Sequence, residues 1–103
     1  MIKVSVMYPY REGAKFDIDY YCERHMPMVR QTLGAACKGI AAEKGIGGAA
    51  PGTPPAYVAM GHIMFDSILA FQTAFGAHAS TLMADVPNYT SIEPVIQVSE
   101  VKL

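Results

Sequence analysis

Between Pro55 and Asp66 the chain reads Tyr57-Val58-Ala59-Met60-Gly61-His62-Ile63-Met64-Phe65, a run with no formal charge and one polar ring, His62. A short, almost wholly apolar run bounded by turn residues is a strand that expects cover on both faces. The rest of the chain must therefore supply elements that shield it, and this condition narrows the architecture more than any other feature.

The flanking segments meet that need. Residues 2 to 8 alternate, with Ile2, Val4, Val6 and Tyr8 on one side of a strand. Pro9 and Gly13 break it. Asp17 is placed to cap a helix from about 18 to 33 that Gly34 stops. At about 100° per residue, Ile18, Tyr21, Cys22, His25, Val29 and Leu33 share one face of that helix. Pro27 removes a donor and crowds the carbonyl of Glu23, which predicts a kink just after His25. Residues 37 to 46 form a weaker strand, and residues 47 to 55 are a Gly- and Pro-rich loop, mobile by composition. Asp66 or Ser67 caps a second helix with the stripe Ile68, Phe71, Phe75, Ala79 and Leu82. Ser91 to Val101 forms the last strand, in which Pro94 implies an edge or a bulge. The order βαββαβ predicts a single α+β domain over residues 1–103. Its ferredoxin-like form is a four-stranded antiparallel sheet with two helices on one face.

Helices on one side leave the other sheet face bare, and the apolar third strand would keep that face apolar. With 51% hydrophobic and only 17% charged residues, a homodimer through sheet faces is the expected unit. A net charge of −1 without a basic run offers no footprint for nucleic acid. No segment is long and apolar enough for a membrane span or a signal peptide, so the expected location is the cytoplasm. Cys22 and Cys37 have no metal-ligand spacing, and Cys22 reads as a buried, reduced thiol.

His25 is the first candidate for chemistry. It is either a general acid/base at the floor of a cleft between helix and sheet, or a core imidazole bonded to a carbonyl freed by Pro27. Tyr21, one turn before it, can orient the ring or hold a substrate oxygen, or simply pack with its hydroxyl at a rim. Tyr8 and Tyr89 lie near the same mouth. Met26, Met28, Phe71 and Phe75 would either line a pocket for a small hydrophobic ligand or pack as ordinary core. His62 belongs to the opposite sheet face and His78 to the border of the second helix stripe. The three imidazoles therefore do not converge, and no metal site is expected. Gly45-Ile46-Gly47-Gly48 lacks the following helix of a nucleotide-binding loop, and nothing else calls for a cofactor.

Three segments resemble the EthD family, named for ethyl tert-butyl ether degradation, within the dimeric α+β barrel superfamily. They are Ile2 to Pro9, Phe16-Asp17 through Tyr20-Tyr21 to His25-Met26-Pro27, and Asp85-Val86-Pro87-Asn88-Tyr89-Thr90-Ser91-Ile92-Glu93-Pro94. The resemblance spans nearly the whole chain and implies a ferredoxin-like dimer. Superfamily relatives include cofactor-free monooxygenases, muconolactone isomerases and haem-handling enzymes that hold substrate between helices and sheet. It thus implies histidine acid/base chemistry, isomerase- or monooxygenase-like, on a hydrophobic or aromatic catabolic intermediate, with His25 and Tyr21 as catalytic residues. Two alternatives stand beside it: a non-catalytic accessory or ligand-binding dimer of a degradation pathway, and a haem-binding protein.

Overall fold

The computed structural model describes residues 1–103. Four strands, β1 (Ile2–Pro9), β2 (Gly39–Lys44), β3 (Tyr57–Phe65) and β4 (Val95–Glu100), form one antiparallel sheet in the order β2-β3-β1-β4. Helical segments separate β1 from β2 and β3 from β4, which gives the expected ferredoxin-like arrangement. β4 starts directly after Pro94 and lies at an edge, where a residue without an N–H does no harm to a ladder.

The first helical segment departs from a regular α-helix. α1 (Ile18–Tyr20) is capped by the Asp17 carboxylate, which accepts from the Tyr20 N–H. A π-helical turn follows over Tyr21–His25, closed by Met26 N–H donating to Tyr21 C=O. α2 (Met26–Leu33) then begins with Pro27 in its first turn, where the missing N–H has no intrahelical partner to lose. The proline is thus accommodated by a widened turn ending at His25. The wider turn also changes which residues face inward. Tyr21, His25, Met26, Val29 and Leu33 are buried, whereas Cys22 is exposed. Met26 takes the place on the inner face that regular α-helical spacing assigns to Cys22.

α3 (Ile68–Ala84) is capped by Ser67, whose hydroxyl accepts from the Ala70 N–H. Phe71, Ala74 and Phe75 pack on the core and Leu82 is buried, but Ile68 at the start of the helix is exposed. The core has two parts. Ile2, Val4, Val29, Leu33, Ile63, Phe65 and Leu82 form one; Tyr8, Tyr21, Met26, Ala59, Tyr89 and Ile92 form the other, toward the end of β1.

The register puts Ile2, Val4, Val6 and Tyr8 on the helix side with Phe65, Ile63, Gly61 and Ala59 of β3. Only that side of β3 is fully buried; Met60, His62 and Met64 on the other side are partly exposed. The helix-free face is also less apolar than the β3 sequence implies, because β1 contributes Lys3 and Ser5 and β2 contributes Glu43. His62 is satisfied within the chain. Its Nδ1 lies 2.9 Å from Ser5 Oγ and its Nε2 2.9 Å from Glu43 Oε1. The Glu43 carboxylate only accepts, so Nε2–H donates to it and Ser5 O–H donates to Nδ1. Ser5 is buried, so this chain of three side chains braces three strands and does not present its hydroxyl to a substrate.

The loop after β2 carries local hydrogen bonds of its own. Gly45 N–H donates to Val58 C=O, Gly48 N–H to Thr53 C=O, and Thr53 bonds Ala50 C=O through both N–H and hydroxyl.

Gly61 marks where α-segment and sheet come closest. A Cβ at this position would overlap the Tyr21 hydroxyl oxygen, so the phenol occupies the space a side chain would need. Gly61→Ala is expected to destabilise the fold by about 1–3 kcal/mol through overpacking. Tyr21→Phe in the same chain should recover part of that loss, and denaturant unfolding of the single and double variants measures both.

Candidate active site

The site forms where the π turn, the C-terminus of α3 and the segment leading to β4 meet over the end of β1. The π turn stacks Tyr21 and His25, with ring centroids 5.4 Å apart and planes 15° from parallel. A 3-10 turn, Val86–Asn88, follows α3 and delivers Tyr89, whose ring lies 4.6 Å from that of His25. Tyr8 comes from the last part of β1. His25 is 6% exposed and Tyr89 fully buried.

These side chains form one hydrogen-bonded line. Asp85 Oδ2 lies 2.9 Å from His25 Nδ1. On the other side of the ring, His25 Nε2 is 3.4 Å from the Tyr89 hydroxyl, which is 2.6 Å from that of Tyr8. Asp85 is itself held by Tyr20 O–H, donating to Oδ1 at 2.7 Å, and by Asn88 Nδ2 at 2.9 Å. Partial burial pushes the Asp85 carboxyl up, but the hydrogen bonds from Asn88, His25 and Tyr20 outweigh it and hold the group below the usual carboxylate range. An ionised Asp85 can only accept, so Nδ1 of a neutral His25 carries the proton and Nε2 is left with its lone pair facing inward.

Asp85 is the C-cap of α3. The helix dipole disfavours a carboxylate there, so capping does not explain it. Its partners do: one imidazole, one phenol and one amide.

The phenols stay protonated. Burial pushes the hydroxyls of Tyr8, Tyr21 and Tyr89 all upward; for Tyr8 the hydrogen bonds from Tyr89 and Tyr21 offset part of the effect. Beside them lies a cavity of about 40 Å³. Its wall is apolar (Val6, Val29, Ile63, Leu82 and Ile96 among others), and its only polar side-chain groups are the His25 ring and the hydroxyls of Tyr8, Tyr21 and Tyr89. A neutral base and neutral O–H donors in an apolar pocket can remove a proton and hold the oxygen on which charge then develops.

Of the residues expected at the site, His25, Tyr21, Tyr8, Tyr89 and Phe75 line the cavity, as does Met26. Met28 and Phe71 do not. Met28 accepts from Thr32 O–H through its sulfur and packs against the main core, and Phe71 packs edge-on against Phe65. Residues 47–55 do not line the cavity. Sequence reasoning missed Asp85, Tyr20 and Asn88. The signal for Asp85 was an acidic residue closing a helix that has no basic residue in its last turn. No group of three or more His, Cys, Asp and Glu side chains lies close enough to share a metal ion.

The model of the EthD domain matches residues 13–93, a span that contains the π turn, Asp85 and Tyr89. The chain belongs to the EthD family. An EthD-like protein of Ralstonia eutropha JMP134 is 53% identical, with a TM-score of 0.96 over 99% of this chain and 92% of that one. An EthD family protein of Bacillus halodurans C-125 is 17% identical, with a TM-score of 0.68 over 99% of each chain. A Bordetella bronchiseptica protein described as an antibiotic biosynthesis monooxygenase is 13% identical, with a TM-score of 0.62 over 99% of this chain and 97% of that one. The last two share the fold. No curated protein matches the chain.

The Asp85 carboxyl carries a pH dependence of stability with a definite sign. Its folded value lies below its unfolded one, so its contribution is complete above about pH 4 and is lost as pH falls through the folded value. Thermal melts between about pH 2 and pH 6 should show a shallower acid-side fall for Asp85→Asn than for the unaltered protein.

Proposed function

We propose that this EthD-family chain is a cofactor-free acid/base enzyme acting on a small hydrophobic or aromatic catabolic intermediate that carries an enolisable carbonyl. The observation that carries this reading is the His25 ring, with Asp85 behind Nδ1 and Nε2 turned toward an apolar cavity and neutral phenols. Nε2 takes a proton from the carbon next to the carbonyl. The electron pair moves into the enolate, and its oxygen accepts from a tyrosine hydroxyl. Return of the proton to a different carbon completes an isomerisation; in a monooxygenase-like outcome the enolate carbon adds dioxygen, its electron pair forming the C–O bond, and the protonated hydroperoxide of a former CH2 loses water to leave one oxygen as a new carbonyl. Asp85 holds the reacting tautomer and stabilises the imidazolium once it forms.

The working unit in this reading is a cytoplasmic homodimer joined through the helix-free sheet face. Exposed Val95 and partly exposed Met7, Met60 and Met64 on that face support it. Haem ligation fits poorly, since a cavity of about 40 Å³ at Nε2 does not hold a macrocycle.

Proton exchange tests the reading with simple carbonyl compounds in place of the natural substrate. Small ketones and cyclic enones are incubated with the protein in D₂O, and loss of α-proton signals is followed by NMR. His25→Ala is expected to slow exchange by about 10²–10⁴-fold, and Asp85→Asn by less. Exchange by the intact protein no faster than buffer, across the panel, sinks the enzymatic reading; tight binding without exchange points instead to a ligand-binding dimer.

A further inference from the structure

The cavity is small. By the space one water requires, about 40 Å³ holds roughly three water-sized groups. That is enough for a carbonyl and its two neighbours and far below the several hundred Å³ that enclose a typical ligand. Whatever else the substrate carries must leave through the mouth.

The mouth is apolar and has a direction. Among the lining residues, the exposed ones are Met83 of α3, at 49%, and Ile96 of β4, at 43%. Ile96 pairs with Val6 and Val98 with Val4, so Ile96 and Val98 project from β4 on the same, helix-bearing side of the sheet. Val4 is fully buried, yet Val98 beside it is 42% exposed. α3 thus covers β1 and leaves the neighbouring edge strand open. Exposed apolar residues thus form a row, termed a gutter, that starts with Met83 and Ile96 at the cavity and continues with Val98 along β4. Two residues of strand span about 7 Å, roughly the length of a five-carbon chain.

We propose that the gutter binds an unbranched aliphatic tail, so that the substrates of this site are amphiphilic: a small carbonyl head at His25 and the phenols, and an alkyl chain along Ile96 and Val98. The inference rests on the reading of His25 as the base, but concerns the part of the ligand that never touches it. Continuity with the cavity singles out this occupant. A second copy of the chain covering β4 would bury the same residues but would leave the head pocket without a path outward.

The experiment is an NMR titration with 2-alkanones from butanone to 2-nonanone, reading the His25 ring protons and the methyl groups of Ile96 and Val98. The Kd is expected to fall about fourfold per added methylene until the gutter is full, and then to level off. The His25 ring should respond to every member, and the Val98 methyls only to the longer ones. Val98→Asp, and the isosteric Val98→Thr in case the charge disturbs the edge strand, should flatten the length dependence. A His25 response whose affinity does not change with chain length overturns the gutter and leaves the head site standing. No His25 response to any ketone overturns both. Val98 shifts that follow protein concentration and not the ketone overturn the gutter in favour of a second copy.

Discussion

A helix that must carry a proline in its middle has one donor too few for a regular ladder. This chain resolves the problem by widening the turn before Pro27. The Met26 N–H reaches back five residues to Tyr21, and α2 restarts with the proline in a first turn where it costs nothing. Much of the site follows from that one turn. It adds Met26 to the inner face beside Tyr21 and His25, stacks the imidazole on the phenol, and turns Cys22 out to solvent. Gly61 completes the fit from the sheet by yielding its side-chain volume to the Tyr21 hydroxyl.

The electrostatics are set from the other end of the molecule. Asp85 sits at a helix C-terminus, where the dipole and partial burial both oppose its charge. Donors from His25, Tyr20 and Asn88 offset that opposition. The benefit falls to the imidazole: an ionised acceptor on Nδ1 fixes the tautomer and makes Nε2 the group that faces the cavity. The phenols lie on the opposite side of the ring, and burial keeps them protonated. Asp85 and the Tyr89 phenol are thus separated across one ring, and base and oxygen-binding donors share a wall otherwise almost free of polar atoms.

The two faces of the sheet divide the molecule's polar chemistry. The helix-bearing face holds the His25 line and an apolar mouth at β4; the bare face holds His62, braced between Ser5 and Glu43. Both imidazoles are bonded through both nitrogens. Only His25 has a ring nitrogen beside the apolar cavity, with its partner there as far as 3.4 Å away.

Hydrophobic periodicity determined the element order and an inward His25 with Tyr21, Asp17 marked the first helix cap, Asp66 or Ser67 the second, and Pro94 an edge or a bulge for the last strand, because these depend on local spacing and on which residues avoid water. Tertiary structure decided the rest. Regular α-helical spacing assigns Cys22 to the core, and a one-residue change in hydrogen-bond register overturns this. Met28 and Phe71 have the composition of pocket residues, yet packing directs them into the main core. The polarity of the bare face was hidden because it comes from Ser5 and Glu43 on strands other than β3. Asp85 lies sixty residues from His25, and no local pattern encodes that pairing. Only the closing of α3 over the sheet brings the carboxylate to the ring, so the imidazole was legible in the sequence and the partner that orients it was not.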